Sequence, residues 1–196
     1  MYIAIAGNIC AGKSSLTRVL SQRFGFNALY ESATENPYLS DFYRNMANYN
    51  FQSQIFFLSC KLAQREVLLS GQNVIQDRTI YEDAIFARAL FDLGYMELRD
   101  YQTYMKLHKA VVEILPYPDH LIYIKVSLST IIERVKARNE FSEELVSWDY
   151  VSKLNSLYEE WISGYHLSAL TTVSGDRLDW VPASQVVESL VSSLKV

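Results

Sequence analysis

The chain has 196 residues and a formal net charge of −4: enough for one domain with a sizeable core, and too acidic for a nucleic-acid polymer as partner. Apolar residues make up 49% of it, yet their runs are too short to span a bilayer, and the first residues read as a strand rather than a secretory signal. Its two cysteines, Cys10 and Cys60, match neither a disulfide framework nor a metal-ligand set, which suits a reducing, cytoplasmic setting.

Taken in chain order, Tyr2–Ala6 is a short apolar run of buried-strand type. It leads into Gly7-Asn8-Ile9-Cys10-Ala11-Gly12-Lys13-Ser14, which matches the pattern G-x-x-x-x-G-K-[ST]. Ser15-Leu16-Thr17-Arg18-Val19-Leu20 then begins a helix with apolar positions at helical spacing. Further strands are predicted at Asn27–Glu31, Asn73–Asp77, His120–Val126 and Leu170–Ser174. Helices are predicted at Phe51–Ser70, Thr79–Leu93, Leu98–Ile114, Ser129–Ala137, Asp149–Gly164 and Ala183–Leu194. The alternation implies an α/β fold, a five-stranded parallel sheet covered by helices on both faces. No repeat, low-complexity tract or linker-like stretch divides it, so residues 1–196 are expected to form a single domain.

In such folds ligands bind beyond the carboxyl ends of strands, which selects the glycine loop, Glu31 and Asp77-Arg78. Gly7 and Gly12 allow backbone geometries that a side chain forbids, so the loop N–H groups can point inward at phosphate oxygens. Lys13 would reach the β- and γ-phosphates of a nucleotide, and the Ser14 hydroxyl would ligate Mg²⁺. Cys10 reads as a small filler within this loop, although its neighbours could lower its thiol pKa.

Beyond this loop, the chain resembles the deoxynucleoside kinase family, and the bacterial deoxyadenosine and deoxyguanosine kinases within it. The resemblance runs over nearly the whole length. It is carried by Gly7–Ser15, Tyr30-Glu31-Ser32 with Asn36-Pro37, Phe42-Tyr43, Gln54, Asp77-Arg78-Thr79-Ile80-Tyr81-Glu82-Asp83, Arg134 and Arg138, and Gly175-Asp176-Arg177-Leu178-Asp179.

The resemblance implies a P-loop kinase fold with a lid at about residues 134–147, using ATP and Mg²⁺ to phosphorylate a deoxynucleoside. It makes Glu31 the general base for the 5′-hydroxyl. Arg78 would hold that hydroxyl and the transferring phosphoryl group, and Asp77 with Ser14 would organise Mg²⁺. The phosphates would lie on Gly7, Asn8, Ile9, Cys10, Ala11, Gly12, Lys13, Ser14 and Ser15, with Arg134 and Arg138 closing from the lid. Tyr43 would bond the sugar 3′-hydroxyl and crowd out a 2′-hydroxyl. Gln54 and Asp83 would read the base between the apolar walls Leu39 and Phe86, whereas Gln52, two residues along the helix, would point away. Asp176, Arg177 and Leu178 would form the adenine loop.

Two departures stand out. Lys61 occupies a position near the base where relatives usually carry arginine, so bidentate recognition is lost there. The lid reads Arg134-Val-Lys-Ala-Arg138-Asn139-Glu140, without the Gly-Arg that relatives carry next, and the acid meeting the 3′-hydroxyl is Glu140, Glu143 or Glu144. A homodimer built from helices is also implied, although Leu98–Ile114, with Tyr101, Tyr104 and Leu107, suits a monomer core equally well.

Two other functions compete. A thymidylate-type nucleoside monophosphate kinase would need an arginine near the second strand, whereas Tyr30-Glu31-Ser32-Ala33-Thr34-Glu35 has none. A P-loop GTPase switch would need an N-K-x-D segment, which is absent. The Gln54–Asp83 pair suits adenine, guanine or cytosine edges. The Tyr81-Glu82-Asp83-Ala84 context resembles the purine enzymes, with deoxycytidine as a further substrate.

Overall fold

All five residues of β1 (Tyr2–Ala6) are buried, as expected for a central strand covered on both faces. A computed structural model of the chain describes residues 1–31, 33–138, 147–176 and 185–194. In it β1 pairs in parallel with β3 (Val74–Asp77) on one side and β4 (His120–Lys125) on the other. β2 (Asn27–Leu29) and β5 (Ala169–Ser174) flank these, giving the order β2-β3-β1-β4-β5. Ile5 stands opposite Asp77, so the glycine loop after β1 and Asp77-Arg78 after β3 emerge side by side.

The helices are α1 (Lys13–Phe24), α2 (Leu39–Arg44), α3 (Met46–Ala63), α4 (Arg65–Leu69), α5 (Ile80–Asp92), α6 (Leu98–Val112), α7 (Leu128–Arg138), α8 (Trp148–Ser163) and α9 (Gln185–Leu194). Ile3, Ile5, Leu16, Leu20, Ile75, Leu121 and Ile122 form the main core around the sheet. A smaller cluster, including Leu58, Tyr104 and Val111, lies among α3, α5 and α6. Among the described residues no helix is long and apolar enough to cross a membrane.

Several boundaries differ from the sequence reading. The helix expected over Phe51–Ser70 begins at Met46, because the Asn45 side chain accepts the Asn48 N–H as an N-cap. It breaks at Gln64, whose side chain donates to the Tyr30 carbonyl and accepts from Gln76 of β3. β2 stops at Leu29, so Glu31 stands on the segment after the strand rather than at its end. The short α2 and the 3₁₀ turn Ala33–Glu35 fill a stretch for which no element was expected. The predicted start of the last helix, at 183–184, lies outside the described residues.

Candidate active site

The glycine loop is shaped by steric necessity at its first residue. Gly7 has φ +154°, and a Cβ there would lie 2.9 Å from the Ile124 carbonyl oxygen and 3.2 Å from the Ala11 Cβ. Gly12, at φ +97°, turns the chain into α1, whose first turn holds no acid to offset its positive end. Lys13 is buried, with Nζ donating to the Asn8 carbonyl at 2.8 Å. Burial first, and Arg78 second, push its pKa down to about 8. The Ser14 hydroxyl donates to Asp77 Oδ2 at 2.5 Å, while Asp77 Oδ1 is buried with no hydrogen-bond partner among the described residues. Hydroxyl, carboxylate and an unused carboxylate oxygen beside a phosphate loop are hard oxygen donors that fit Mg²⁺. Among the described residues no cluster of three or more His, Cys, Asp or Glu gathers elsewhere to hold a metal.

Across from the loop stands Arg78, a non-glycine residue at φ +64°. Its N–H donates to the Ile5 carbonyl at 3.0 Å, and its own carbonyl accepts from Lys61 Nζ at 2.5 Å. Lys61 therefore differs from expectation: its buried ammonium supports the Arg78 backbone and does not line the cavity. The Arg78 guanidinium is buried, forms an ion pair with Glu31 at 2.9 Å, and lies 4.5 Å from the centre of the Phe86 ring. Burial would raise the Glu31 pKa, but the charges of Arg78, Lys61 and Lys13 outweigh it and hold the carboxyl below its ordinary range.

One cavity of about 780 Å³ joins these groups. Leu39, Tyr43, Gln54, Asp83 and Phe86, the residues expected at the nucleoside, line it, and Gln52 is exposed. Phe42, quoted with Tyr43 in the resemblance but given no role, also lines it, as do Phe57 and Tyr150, which were not singled out from sequence. Phe57 follows Gln54 by three residues on one helix face, a spacing that points to it. Tyr150 lies on α8, which carried no recognisable motif. Asp83 is buried, and desolvation raises its pKa to about 7, with Lys61 and Arg78 opposing and Glu31 and Glu82 adding to the rise. Its Oδ2 has no hydrogen-bond partner among the described residues.

Of the two arginines expected to close over the phosphates, Arg134 is the one whose side chain is described. The Arg134 guanidinium donates to the carbonyls of Cys10, at 3.2 Å, and of Gly175, so here it braces the outside of the glycine loop. The physical reason is that backbone carbonyls need donors, and those of Cys10 and Gly175 find theirs in this guanidinium. Arg134 still borders the cavity. Arg138 is the last residue of α7, one turn further on, and its side chain lies outside the described residues, as do Glu140, Glu143, Glu144, Arg177 and Leu178. The Asp176 carboxylate accepts from the N–H and hydroxyl of Ser127, at 2.8 and 2.9 Å, joining the end of β5 to the start of α7.

A phosphate loop, a Ser–Asp pair suited to a divalent cation, and an ionised carboxylate with a guanidinium across one cavity define a P-loop kinase acting on a small-molecule hydroxyl. Comparison with known proteins narrows the class. Residues 3–196 match the deoxynucleoside kinase family. The chain is 34% identical to the deoxyadenosine/deoxycytidine kinase of Bacillus subtilis, over 98% of this chain and 90% of that one. It is 35% identical to the deoxyguanosine kinase of the same organism, over 99% and 96%. The structure of deoxyadenosine kinase from M. mycoides with bound dATP superposes with a TM-score of 0.89 at 31% identity, covering all of both chains. The chain belongs to the deoxynucleoside kinase family. It transfers a phosphoryl group from a nucleotide donor to the 5′-hydroxyl of a deoxynucleoside.

Proposed function

We propose that the chain is an ATP- and Mg²⁺-dependent kinase of purine deoxynucleosides, acting on deoxyadenosine or deoxyguanosine, with deoxycytidine as a secondary substrate. The observation that carries the acceptor is the Glu31–Arg78 pair facing the phosphate loop across the cavity. It offers a base and one cation on the acceptor side; among the described residues that line the cavity, the only other arginine is Arg134, which lies against the glycine loop rather than beside Glu31. That favours a nucleoside over the monophosphate taken by thymidylate-type kinases. The base preference is supported by the Gln54–Asp83 pair in its aromatic setting and by relatives named for deoxyadenosine and deoxyguanosine.

In this reading the residues divide the work as phosphoryl transfer requires, by positioning and neutralising charge. The loop N–H groups and Lys13 cradle the β- and γ-phosphates. Ser14 and Asp77 would hold Mg²⁺, which would supply neutralisation of phosphate charge. Glu31, kept ionised by Arg78, receives the 5′-hydroxyl proton. Arg78 meets the charge on the transferring group, and Arg134 and Arg138 approach it from the lid. Tyr43 faces the sugar and Leu39 and Phe86 the base. Two copies pair through their helices: large apolar side chains stay exposed at Leu62 on α3, Leu69 on α4, Leu107 on α6 and Ile114 just beyond it. Tyr104 is wholly buried within the monomer, so α6 serves both core and surface. Cys10 and Cys60 are not joined in a disulfide, which suits a reducing cytoplasm.

Glu31→Gln tests the assignment of the base. ATP binding is expected to persist while kcat falls about 10²–10⁴-fold, the usual contribution of a positioned acid–base group. Wild-type turnover in this variant would remove Glu31 from the role.

A further inference from the structure

Arg78 carries the reaction's guanidinium on a left-handed backbone, and a long side chain needs holding on more than one side. Glu31 holds one side, but it loses its negative charge, and with it much of its grip, when it accepts the hydroxyl proton. The other side is held by α8. The Tyr158 hydroxyl accepts from Arg78 Nη1 at 2.7 Å and donates to Glu82 Oε2 at 2.5 Å. The direct approach of Arg78 to Glu82 is 3.6 Å, too long for a good hydrogen bond, so Tyr158 supplies the short route between them.

Glu82 is fully buried and has further partners. Its Oε2 accepts from the N–H of Gly7, the first residue of the phosphate loop, at 3.3 Å. Its Oε1 accepts from the Thr79 N–H at 2.9 Å. One carboxylate thus ties the donor loop to the residue that follows Arg78 and, through Tyr158, to the guanidinium itself. Tyr158 has little freedom: it is fully buried, stacked on Tyr123 and edge-on to Phe86 and Trp161. Burial also keeps its hydroxyl protonated, so it can donate to Glu82 while accepting from Arg78.

We propose that Tyr158 is a positioning residue for phosphoryl transfer: by bridging Arg78 to Glu82 it fixes the guanidinium relative to the phosphate loop. The inference rests on the reading of Arg78 as the cation that meets the transferring phosphoryl group. As the 5′-oxygen–phosphorus bond forms and the β,γ-bridging bond breaks, the hydroxyl proton passes to Glu31. Tyr158 and Glu82 then keep the guanidinium in place.

Tyr158→Phe keeps the ring and removes one oxygen. Assayed well below its unfolding temperature, it is expected to lose about 10- to 100-fold in kcat, the scale set by small misplacements of reacting groups, with KM for ATP and deoxynucleoside within about twofold. The same substitution in an Arg78→Ala background is expected to cost almost nothing further, because the two act as a unit. Unchanged kcat, a loss confined to KM, or a full additional loss in the Arg78→Ala background would each overturn the proposal. Wild-type kcat in Arg78→Ala alone would overturn the reading of Arg78 and this inference with it. Should Tyr158→Phe not fold, Glu82→Gln removes the charged end of the same bridge, and the same division between kcat and KM decides.

Discussion

At Asp83 an acid sits where burial works against its charge, and the consequence is measurable without substrate. Its pKa of about 7 stands well above the ordinary carboxyl value of 3.8. Between those pH values the unfolded chain releases a proton that the folded protein keeps. Stability of the ligand-free protein therefore falls as pH rises from about 4 to 7, with the full penalty present above that window. Asp83→Asn is expected to gain on wild type by a few kcal/mol between pH 5 and pH 8, read from denaturant midpoints without nucleoside. An equal difference at both pH values would contradict the shift. The same site shows what sequence can convey about single residues. Glu31, Arg78 and Asp83 were picked out because each lies in a short motif of fixed spacing, whereas Gln54 came from the resemblance alone. Glu82 and Tyr158 lie 76 residues apart and meet only through the packing of α8 on α5.

At the scale of elements, the strand–loop–helix start was legible because the apolar run, glycines and helical period occur in unbroken succession. The pairing of Ile5 with Asp77, which sets the two chemical segments side by side, follows from strand order and was not. The break between α3 and α4 was hidden for a related reason, since Gln64 is held by groups from distant segments. Local chemistry governs the start of α5 more directly. Thr79 and Glu82 form a reciprocal capping box, and Thr79 is completely buried. Thr79→Ala is expected to cost about 1–2 kcal/mol in unfolding free energy, as N-cap losses do. A denaturation curve matching wild type would show that Glu82 caps the helix unaided.

For the whole molecule, the apolar surface on α3, α4 and α6 predicts self-association. Leu107, 44% exposed, is a direct probe. Leu107→Glu is expected to convert a dimer to a monomer in sedimentation equilibrium while leaving the fold intact; a wild-type protein that is monomeric at micromolar concentration would contradict the pairing. The identity of the acceptor governs everything else at this scale. Its most direct test is ATP-dependent phosphorylation of the four deoxynucleosides, their ribo-counterparts and their monophosphates under one set of conditions. The expected result is 5′-monophosphate formation with the highest kcat/KM for deoxyadenosine or deoxyguanosine, weaker use of deoxycytidine, and discrimination against the ribonucleosides. A kcat/KM for thymidine above that of every purine, or turnover of monophosphates in preference to nucleosides, would contradict it.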